Sequence, residues 1–445
     1  MKAVRNSLSN LLKYPSAIVG LLVILGLVFI AVYAIVTIPY GEAIRMWRGG
    51  EDVWYQNPKF AAPAWINLFS SKKYAESFSV KTQDGGIPKE VTPGAEGTST
   101  IAATYPFTFN SDYLPQDLIL YISSNYEQKQ PFISAEWLTP DGRTIRIANL
   151  AVSQKQTYRF AQDEKLKTKL RTDNVISSLF TDPETGRIVK GEYQLLLSGV
   201  TFEPESNMDV EFVFHGQVFG LAGTDQQRRD LMVPLLWGTP VALAFGLLAA
   251  LGTSVLTMVI AAVGTWYGGW IDQLIQRITE VNIVLPFLSI LIMIGTFYSR
   301  SIWVILSATI LLSIFTGSII AYRSTFMQVK ESMYIEAAKA YGASGLRIVF
   351  LYLIPRMIPL LIPGLVSSVP AFVFLEASLA VLGLGDPVLP TWGKIIQDAN
   401  ANGALYRGYY YWILEPATLL MITGLGFAML GFALDRVFNP KLRDI

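Results

Sequence analysis

Residues 334–355 read YIEAAKAYGASGLRIVFLYLIP and decide the fold, because this helix, break and second helix stand between two long apolar stretches. Gly342 is suited to end the first helix, since glycine adopts the left-handed conformation of a helix C-terminus without steric cost. Ser344 can cap the next helix, and Pro355 predicts that this helix bends or ends there. The segment is therefore predicted to form a compact helical elbow.

Five basic residues surround this elbow: Arg323, Lys330, Lys339, Arg347 and Arg356. Short loops rich in lysine and arginine stay in the cytoplasm, so we expect the elbow on that side of a membrane. Its first helix contains Glu336, Ala337 and Ala338, which favour helix and leave room for close packing. The pattern predicts a cytoplasmic surface that contacts another molecule; the alternative is an ordinary amphipathic loop.

The composition indicates an integral membrane protein. Of 445 residues, 52% are hydrophobic and 16% are charged, against about 25% charged in soluble domains. The net charge of +1 gives no sign of nucleic-acid binding. The chain has no cysteine and one histidine, His215, which excludes thiolate and HExxH metal sites. We expect no metal site, no catalytic residues and no cofactor bound by this chain, with His215 in a strand of an external domain.

The first apolar run, 17–38, follows Lys2, Arg5 and Lys13 and is long enough to cross a bilayer. A cleaved signal peptide is the alternative, but its apolar core is normally only about 7–15 residues long. We therefore expect residues 1–40 to hold a cytoplasmic N-terminus and the first transmembrane helix.

Residues 41–222 differ from the rest, with fewer apolar residues and more turn residues. We predict a β-rich extracytoplasmic domain of the antiparallel sandwich type, with helix near 161–170 and a flexible loop over 83–100. A hairpin is expected at Thr139-Pro140-Asp141-Gly142. The predicted strands are 103–109, 118–123, 132–137, 144–150, 193–199 and 208–219.

Residues 223–445 are predicted to form the membrane core, with an elbow region at 322–358. The five further predicted spans are about 241–263, 281–297 (entered through an amphipathic piece), 302–321, 361–384 and 412–433. With Arg436, Lys441 and Arg443 also inside, both termini are expected in the cytoplasm. The predicted fold class is an α-helical polytopic membrane protein with six transmembrane helices and a β-rich domain inserted between the first two.

The elbow resembles the EAA loop of ABC importer permeases. In that loop, three residues separate Glu-Ala-Ala from a glycine, and nine further residues separate the glycine from Ile-x-Leu-Pro. Glu336-Ala337-Ala338, Gly342 and Pro355 stand at those spacings. Tyr352 and Ile354 replace the isoleucine and leucine of the pattern.

Three further segments resemble the C-type permease of the oligopeptide/dipeptide family, although residue 228 is arginine where that family has glycine. The residues that carry this likeness are Gly223, Thr224, Asp225, Arg229, Asp230, Gly269, Asp272, Glu376, Gly383, Gly385 and Trp392. The insertion at 41–222 is far longer than the family leads us to expect.

From the residues themselves, Arg229 and Asp230 are expected to form a surface ion pair of little energetic value. Gly238 and Pro240 are expected to open a helix. A carboxylate inside an apolar span is costly unless it faces protein or water. Glu376 is therefore expected to hydrogen-bond a neighbouring helix, and lining of the transport pathway is the alternative. Gly383 and Gly385 are expected to end the fifth span in a tight turn.

The resemblance implies a permease subunit with a type I importer fold. Its implied partners are a second homologous permease, two cytoplasmic ATPases that hold ATP and magnesium, an external substrate-binding protein and the lipid bilayer. The chain has no GxxxxGK[S/T] phosphate loop, so it is not itself the ATPase. The resemblance implies peptide substrates; oligosaccharides and nickel are alternatives, as are a membrane receptor or assembly protein and a secondary transporter.

The resemblance implies that the elbow sits in a groove on an ATPase and couples ATP hydrolysis to movement of the membrane helices. The residues implied for this role are Glu336, Ala337, Ala338, Gly342 and Pro355. We then expect Gly342→Asp, or a bulky residue in place of Ala338, to abolish transport without preventing membrane insertion.

Overall fold

A computed structural model describes residues 13–82 and 86–438, and these form two units. One unit, the helical unit, consists of the described residues up to Arg48 and those from Val233 onward. The other, the β unit, is Gly49–Met232. The predicted boundaries, 41 and 222, thus differ from those of the β unit by about ten residues at either end, because 40–48 continue as helix and 223–232 bond to the β unit.

The helical unit consists of apolar helices with short polar connections. Its helices are α1 (Pro15–Thr37), α2 (Tyr40–Arg48), α3 (Met232–Tyr267), α4 (Gly269–Val284), α5 (Phe287–Phe297), α6 (Ile302–Ile314), α7 (Gly317–Lys330), α8 (Met333–Ala340), α9 (Gly345–Leu384), α10 (Trp392–Ala401), α11 (Ala404–Arg407) and α12 (Tyr411–Phe438). Among the described residues, α1, α3, α9 and α12 are each long and apolar enough to cross a membrane, which makes four spans, or up to six if each of two bent pairs is one span.

The third predicted span, 281–297, is wrong as a continuous helix. The chain bends by 80° between α4 and α5. Leu285 lies before Pro286 and is extended, with φ −68° and ψ 136°, as expected for a residue whose helical conformation would clash with the proline ring. The predicted amphipathic entry is the helix α4 itself.

The fourth predicted span, 302–321, is also interrupted, with a 48° bend between α6 and α7. Side chains satisfy the carbonyl groups that the break releases. The Asn282 amide donates to the Leu312 and Phe315 carbonyl oxygens at 2.9 and 2.7 Å, and the Thr257 hydroxyl donates to that of Ile314 at 3.0 Å. An unpaired buried carbonyl would be costly, so these bonds stabilise the break.

Pro355 neither ends nor breaks α9, contrary to the prediction. A π-helical turn, Val349–Leu353, leads into the α-helical segment Ile354–Leu379, where Pro355 occupies one of the first positions. The helix therefore continues through Pro355, although proline supplies no N–H group to its hydrogen bonds. Gly238 and Pro240 likewise do not open a helix, since α3 already begins at Met232.

The β unit is a sandwich of two antiparallel sheets, as predicted. Its strands are β1 (Phe78–Lys81), β2 (Glu90–Pro93), β3 (Ser99–Phe109), β4 (Asp117–Asn125), β5 (Phe132–Leu138), β6 (Thr144–Ala151), β7 (Lys155–Arg159), β8 (Gly191–Thr201) and β9 (Asn207–His215). The strand order is β1-β9-β4-β7 in one sheet and β2-β3-β8-β5-β6 in the other. Short helices at Gly50–Val53, Ile66–Phe69, Glu164–Leu170 and Val175–Phe180 complete the unit.

An aromatic core fills the space between the sheets. Trp137, Tyr193 and Phe212 are completely buried there, and ring contacts such as Phe107 to Tyr193, at 5.6 Å, link neighbouring strands. The hairpin at Thr139–Gly142 is confirmed: the Thr139 amide donates to the Arg143 carbonyl at 3.0 Å, and Gly142 is left-handed with φ +84°.

The flexible loop predicted at 83–100 is wrong in part. Residues 83–85 lie outside the described residues, but Glu90–Pro93 pairs with β3 as an edge strand. Proline fits an edge because its missing N–H group costs no bond there. β1 and β7 were also missed, since four- and five-residue strands carry too little alternation to show in a sequence.

Candidate functional site

The elbow is α8, a left-handed turn and the start of α9. The Gly342 amide donates to the Lys339 carbonyl at 2.9 Å and the Ala343 amide donates to that of Ala338 at 3.0 Å, which is the Schellman pattern that closes a helix. Gly342 has φ +77°. Ser344 occupies the N-cap position of the next helix, but its side chain makes no capping hydrogen bond.

One face of α8 packs inside the helical unit. Ile335 and Ala338 are buried, and they belong to a hydrophobic cluster that includes Phe326 of α7 and Val349 of α9. When a short helix buries one stripe of apolar side chains, its orientation relative to the rest of the unit is fixed. α8 is thus held rigidly to the helices on either side of it.

The opposite face of α8 is exposed and combines small side chains with the charged Glu336. Glu336, Ala337 and Ala340 point outward, flanked by Met333 at 88% exposure and Tyr341 at 92%. Ala338, by contrast, is only 7% exposed. A bulky residue at Ala338 would disturb the internal packing of the chain, so an outward-facing contact has to be tested at Ala337.

The C-terminus of α3 supports the elbow. Lys330 donates to the Thr265 and Trp266 carbonyl oxygens at 2.9 and 3.1 Å, which places a cation at the negative end of a helix. The Lys339 ammonium lies 5.1 Å from the centre of the Trp266 ring. A Cβ on Gly345 would come within 2.7 Å of the Trp266 Nε1. Lys330 was predicted only as one of the basic residues around the elbow, and no sequence motif pointed to Trp266.

Asp272 joins α4 to α7. Both of its carboxylate oxygens accept from Arg323, at 2.7 and 2.6 Å, and Gln276 adds a bond at 2.8 Å. Bidentate pairing fixes the geometry as well as the charge. Gly269, at the start of α4, is left-handed with φ +54°, which allows the sharp turn from α3.

Glu376 and Trp392 lie where α9, α10 and α3 meet. The Trp392 indole is 1% exposed and donates to the Leu235 carbonyl at 2.9 Å. Gly238 faces that ring, since a Cβ at Gly238 would lie 2.3 Å from the Trp392 Cδ1. Glu376 is buried, at 6% exposure, in the same region.

The Asp386 carboxylate stabilises the end of α9, and the sequence motifs did not predict this role. Gly383 is left-handed with φ +89°, whereas Gly385 is not. Asp386 follows them and accepts from the Ile302 amide at 2.9 Å and from the Val388 amide at 2.8 Å. It therefore joins this turn to the first residue of α6.

The segment around Gly223, Thr224 and Asp225 belongs to the β unit. Gly223 is left-handed with φ +72°. The Thr224 hydroxyl donates to the Pro58 carbonyl at 2.8 Å and accepts from the Ala61 amide at 2.9 Å. These bonds tie the segment to the first residues of the unit.

The expected surface pair of Arg229 with Asp230 is wrong. Arg229 pairs with Asp225, and both are buried; the Asp225 carboxylate also accepts from the Gln227 and Arg229 amides at 2.8 and 2.9 Å. Burial raises the pKa of Asp225, while Arg229 opposes that rise. Asp230 instead accepts from the Met232 amide at 2.8 Å.

Arg228 is left-handed, with φ +66°, where the resembling family has glycine. Its side chain offsets the strain through buried contacts. The Arg228 Nη1 atom donates to the Asn57 carbonyl at 2.6 Å and lies 3.4 Å from His215 Nδ1. The Arg228 Nε atom lies 3.7 Å from the Glu51 carboxylate. The departure from glycine is the sequence signal that could have singled out this residue.

His215 ends β9, so its predicted place in a strand is confirmed. Burial, with the Arg228 guanidinium beside it, lowers the pKa of His215 to about 3. The pKa of histidine in an unfolded chain is about 6.5, so below that pH the unfolded chain gains a proton that the folded chain does not. The stability that neutral His215 contributes is complete above pH 6.5 and is lost as the pH falls toward 3.

We expect the β unit to lose about 2 kcal/mol of stability through His215 between pH 7 and pH 5. Hydrogen–deuterium exchange of β9 in the full chain measures this loss. His215→Gln removes the chain's single histidine, so its β9 should show a smaller change in protection over the same pH range. An equal change in both proteins would show that His215 does not carry the effect.

These features define a polytopic membrane protein with a packed helical elbow. Residues 254–444 match a family model described as "Binding-protein-dependent transport system inner membrane component", and the described part of this range lies in the helical unit.

Curated relatives agree with that match. A putative peptide transport system permease protein of Brucella suis is 30% identical over 230 residues, which cover 50% of this chain and 74% of the relative. The dipeptide transport system permease protein DppC of Bacillus subtilis is 29% identical over 222 residues, 50% of this chain and 68% of the relative. The glutathione transport system permease protein GsiD of Pectobacterium atrosepticum is 26% identical over 227 residues, 50% of this chain and 73% of the relative. The chain belongs to this family of peptide-type transport system permeases.

Proposed function

We propose that this chain is the permease subunit of an ATP-driven peptide importer and forms half of the translocation pathway. Family membership and the exposed outer face of α8 support this function. The second half of the pathway would come from a homologous permease. ATP and magnesium would be held by two separate ATPase subunits, and an extracytoplasmic binding protein would deliver the substrate.

The observation that carries the proposal is the two-sided character of α8. Its inner face is packed among α7, α9 and the end of α3, while Ala337 and Ala340 leave its outer face flat. A helix held in this way transmits a push from a bound ATPase to the membrane helices as a rigid body. Glu336, Ala337, Gly342 and the flanking Tyr341 are the residues that would meet the ATPase, whereas Ala338 and Pro355 would shape the elbow from within.

Peptides are the substrate class that the relatives favour. Their names specify dipeptide and glutathione transport, and glutathione is itself a short peptide. No relative named here supports the oligosaccharide alternative. A receptor that needed only an anchor would have no use for the supported elbow, which argues against that alternative.

The orientation is part of the proposal: both termini and the elbow are cytoplasmic, and the β unit is extracytoplasmic. Single-cysteine labelling tests this arrangement, because the chain has no cysteine of its own. A membrane-impermeant maleimide should label Lys129→Cys on spheroplasts without an outer membrane, and Tyr341→Cys only after lysis. Both positions are exposed. Labelling of Tyr341→Cys before lysis would contradict the orientation.

A further inference from the structure

The surface of the β unit carries a group of exposed apolar side chains. Within the described part of this unit, seven large apolar or aromatic side chains are exposed, and four of these form one group, here called the apolar patch: Trp65, Leu68, Phe69 and Leu221. Leu68 is 79% exposed and Phe69 is 83% exposed. Single exposed apolar residues are normal in proteins, but a contiguous group usually marks a surface that meets a partner or a membrane.

Short contacts hold the apolar patch together. The Trp65 indole donates to the Leu221 carbonyl at 2.9 Å, and the Ala64 amide donates to the Gly220 carbonyl at 2.9 Å. The Trp65 and Phe69 rings meet edge to face, with their centres 6.3 Å apart. The patch is therefore a built surface, in which two segments far apart in the sequence are joined.

The apolar patch lies beside the point where the chain leaves the β unit. A Cβ on Gly220, the residue before Leu221, would lie 3.9 Å from the Asp230 carboxylate. The Leu231 amide donates to the Gly223 carbonyl at 3.1 Å. Met232 follows and begins α3, one of the helices that are long and apolar enough to cross a membrane. The chain thus tethers the patch near the bilayer that α3 enters.

The side chains of the apolar patch favour lipid over a protein partner. Leu68, Phe69 and Leu221 have no polar atoms, and the N–H group of Trp65 is already bonded to a carbonyl. Protein interfaces usually contain about one hydrogen bond per 100–200 Å² of buried surface, which these four side chains cannot supply. An acyl chain requires no hydrogen bond, so lipid matches the chemistry of the patch.

Two exposed lysines, Lys72 and Lys73, border the apolar patch. The Lys73 ammonium donates to the Asn67 carbonyl at 2.7 Å, which keeps this charge beside the patch. Asp112 accepts from the Lys73 amide, but its carboxylate also pairs with Lys190, which offsets its negative charge. An apolar face with a tryptophan and with lysines at its edge is typical of segments that lie in the surface of a bilayer that contains anionic lipids.

We propose that the apolar patch inserts into the surface of the bilayer that α3 enters and thereby anchors the β unit to lipid. Leu68 and Phe69 reach the boundary of the acyl chains, Trp65 lies at the level of the headgroups, and the bordering lysines meet lipid phosphates. Segments of this kind bury their apolar face about 5–10 Å deep. This inference concerns the β unit and does not rest on the proposed transport function.

Fluorescence quenching in the full chain tests this inference, because the chain has no cysteine of its own. Phe69→Cys and, separately, Leu68→Cys are labelled with bimane and placed in nanodiscs of phosphatidylcholine and phosphatidylglycerol, without partner subunits. Val91→Cys is the matched control, since Val91 is an exposed apolar residue of the same unit outside the patch. Nitroxide-labelled lipid should quench both patch positions severalfold more than the control, and iodide in the water should quench them severalfold less.

Equal quenching of the patch and control positions by nitroxide-labelled lipid would overturn the inference. Protection of both patch positions from lipid and iodide alike would also overturn it, because a protein surface would then cover the patch. The use of two patch positions keeps the test valid if one labelled variant fails to insert. Because no ATPase is present, each of these results would leave the proposed transport function standing.

Discussion

Replacing Ala337 with arginine should lower substrate-stimulated ATP hydrolysis by the assembled transporter about thirtyfold or more. Ala337 lies on the outer face of α8, opposite Ile335 and Ala338, which are buried in the helical unit. A long charged side chain there would hold a docked ATPase away from the helix. A loss of about 2 kcal/mol of binding free energy at the centre of a packed interface lowers the affinity by about this factor.

Two variants serve as controls for Ala337→Arg. Ala337→Ser keeps the side chain small and should keep most of the activity. Ala338→Leu overpacks the internal cluster and should instead lower stability by about 1–3 kcal/mol. Full stimulation in Ala337→Arg, with normal amounts of inserted protein, would show that the outer face of α8 does not contact the ATPase.

The second large effect is expected in the β unit. Asp225→Ala should destabilise this unit by about 3–5 kcal/mol, the usual cost of removing one partner from a buried ion pair. The change would leave the Arg229 side chain buried with its nearby charge removed, and the Gln227 amide would lose its acceptor. Hydrogen–deuterium exchange of 57–61 and β9 in the full chain measures the loss.

Asp225→Asn separates the contribution of the ion pair from that of the backbone hydrogen bonds. It keeps an acceptor for the backbone amides but removes the charge, so we expect an intermediate loss of stability. Asp52→Ala changes an exposed aspartate of the same unit and should stay within about 0.5 kcal/mol of the unmodified chain. Exchange protection in Asp225→Ala equal to that of Asp52→Ala would mean that the buried pair adds no stability.

Hydropathy alone predicted where apolar helices lie but not how they bend. The break at Leu285 had a local signal, because Pro286 follows it. The break after Ile314 had none, since Asn282 satisfies its carbonyls from another helix. Pro355 gave the opposite error, because a π-helical turn before it lets the helix continue. Long-range bonds and local helix geometry decided these cases.

Spacing predicted the elbow better than it predicted the direction of each side chain. Gly342 adopts the expected left-handed conformation, because that choice depends on the backbone of one residue. The inward position of Ala338 depends on the phase of a two-turn helix against its neighbours, which Glu-Ala-Ala does not reveal. Arg229 likewise pairs with Asp225 because the loop folds back on itself, whereas adjacency in sequence suggested Asp230.

The most direct test of the importer function is ATP hydrolysis by the complex purified through this chain and reconstituted in lipid. We predict that ATPase subunits co-purify and that their activity rises when the binding protein is loaded with short peptides, but not when oligosaccharides are supplied. Isolation of the chain without any ATPase, or hydrolysis that no peptide-loaded binding protein stimulates, would contradict the proposed function.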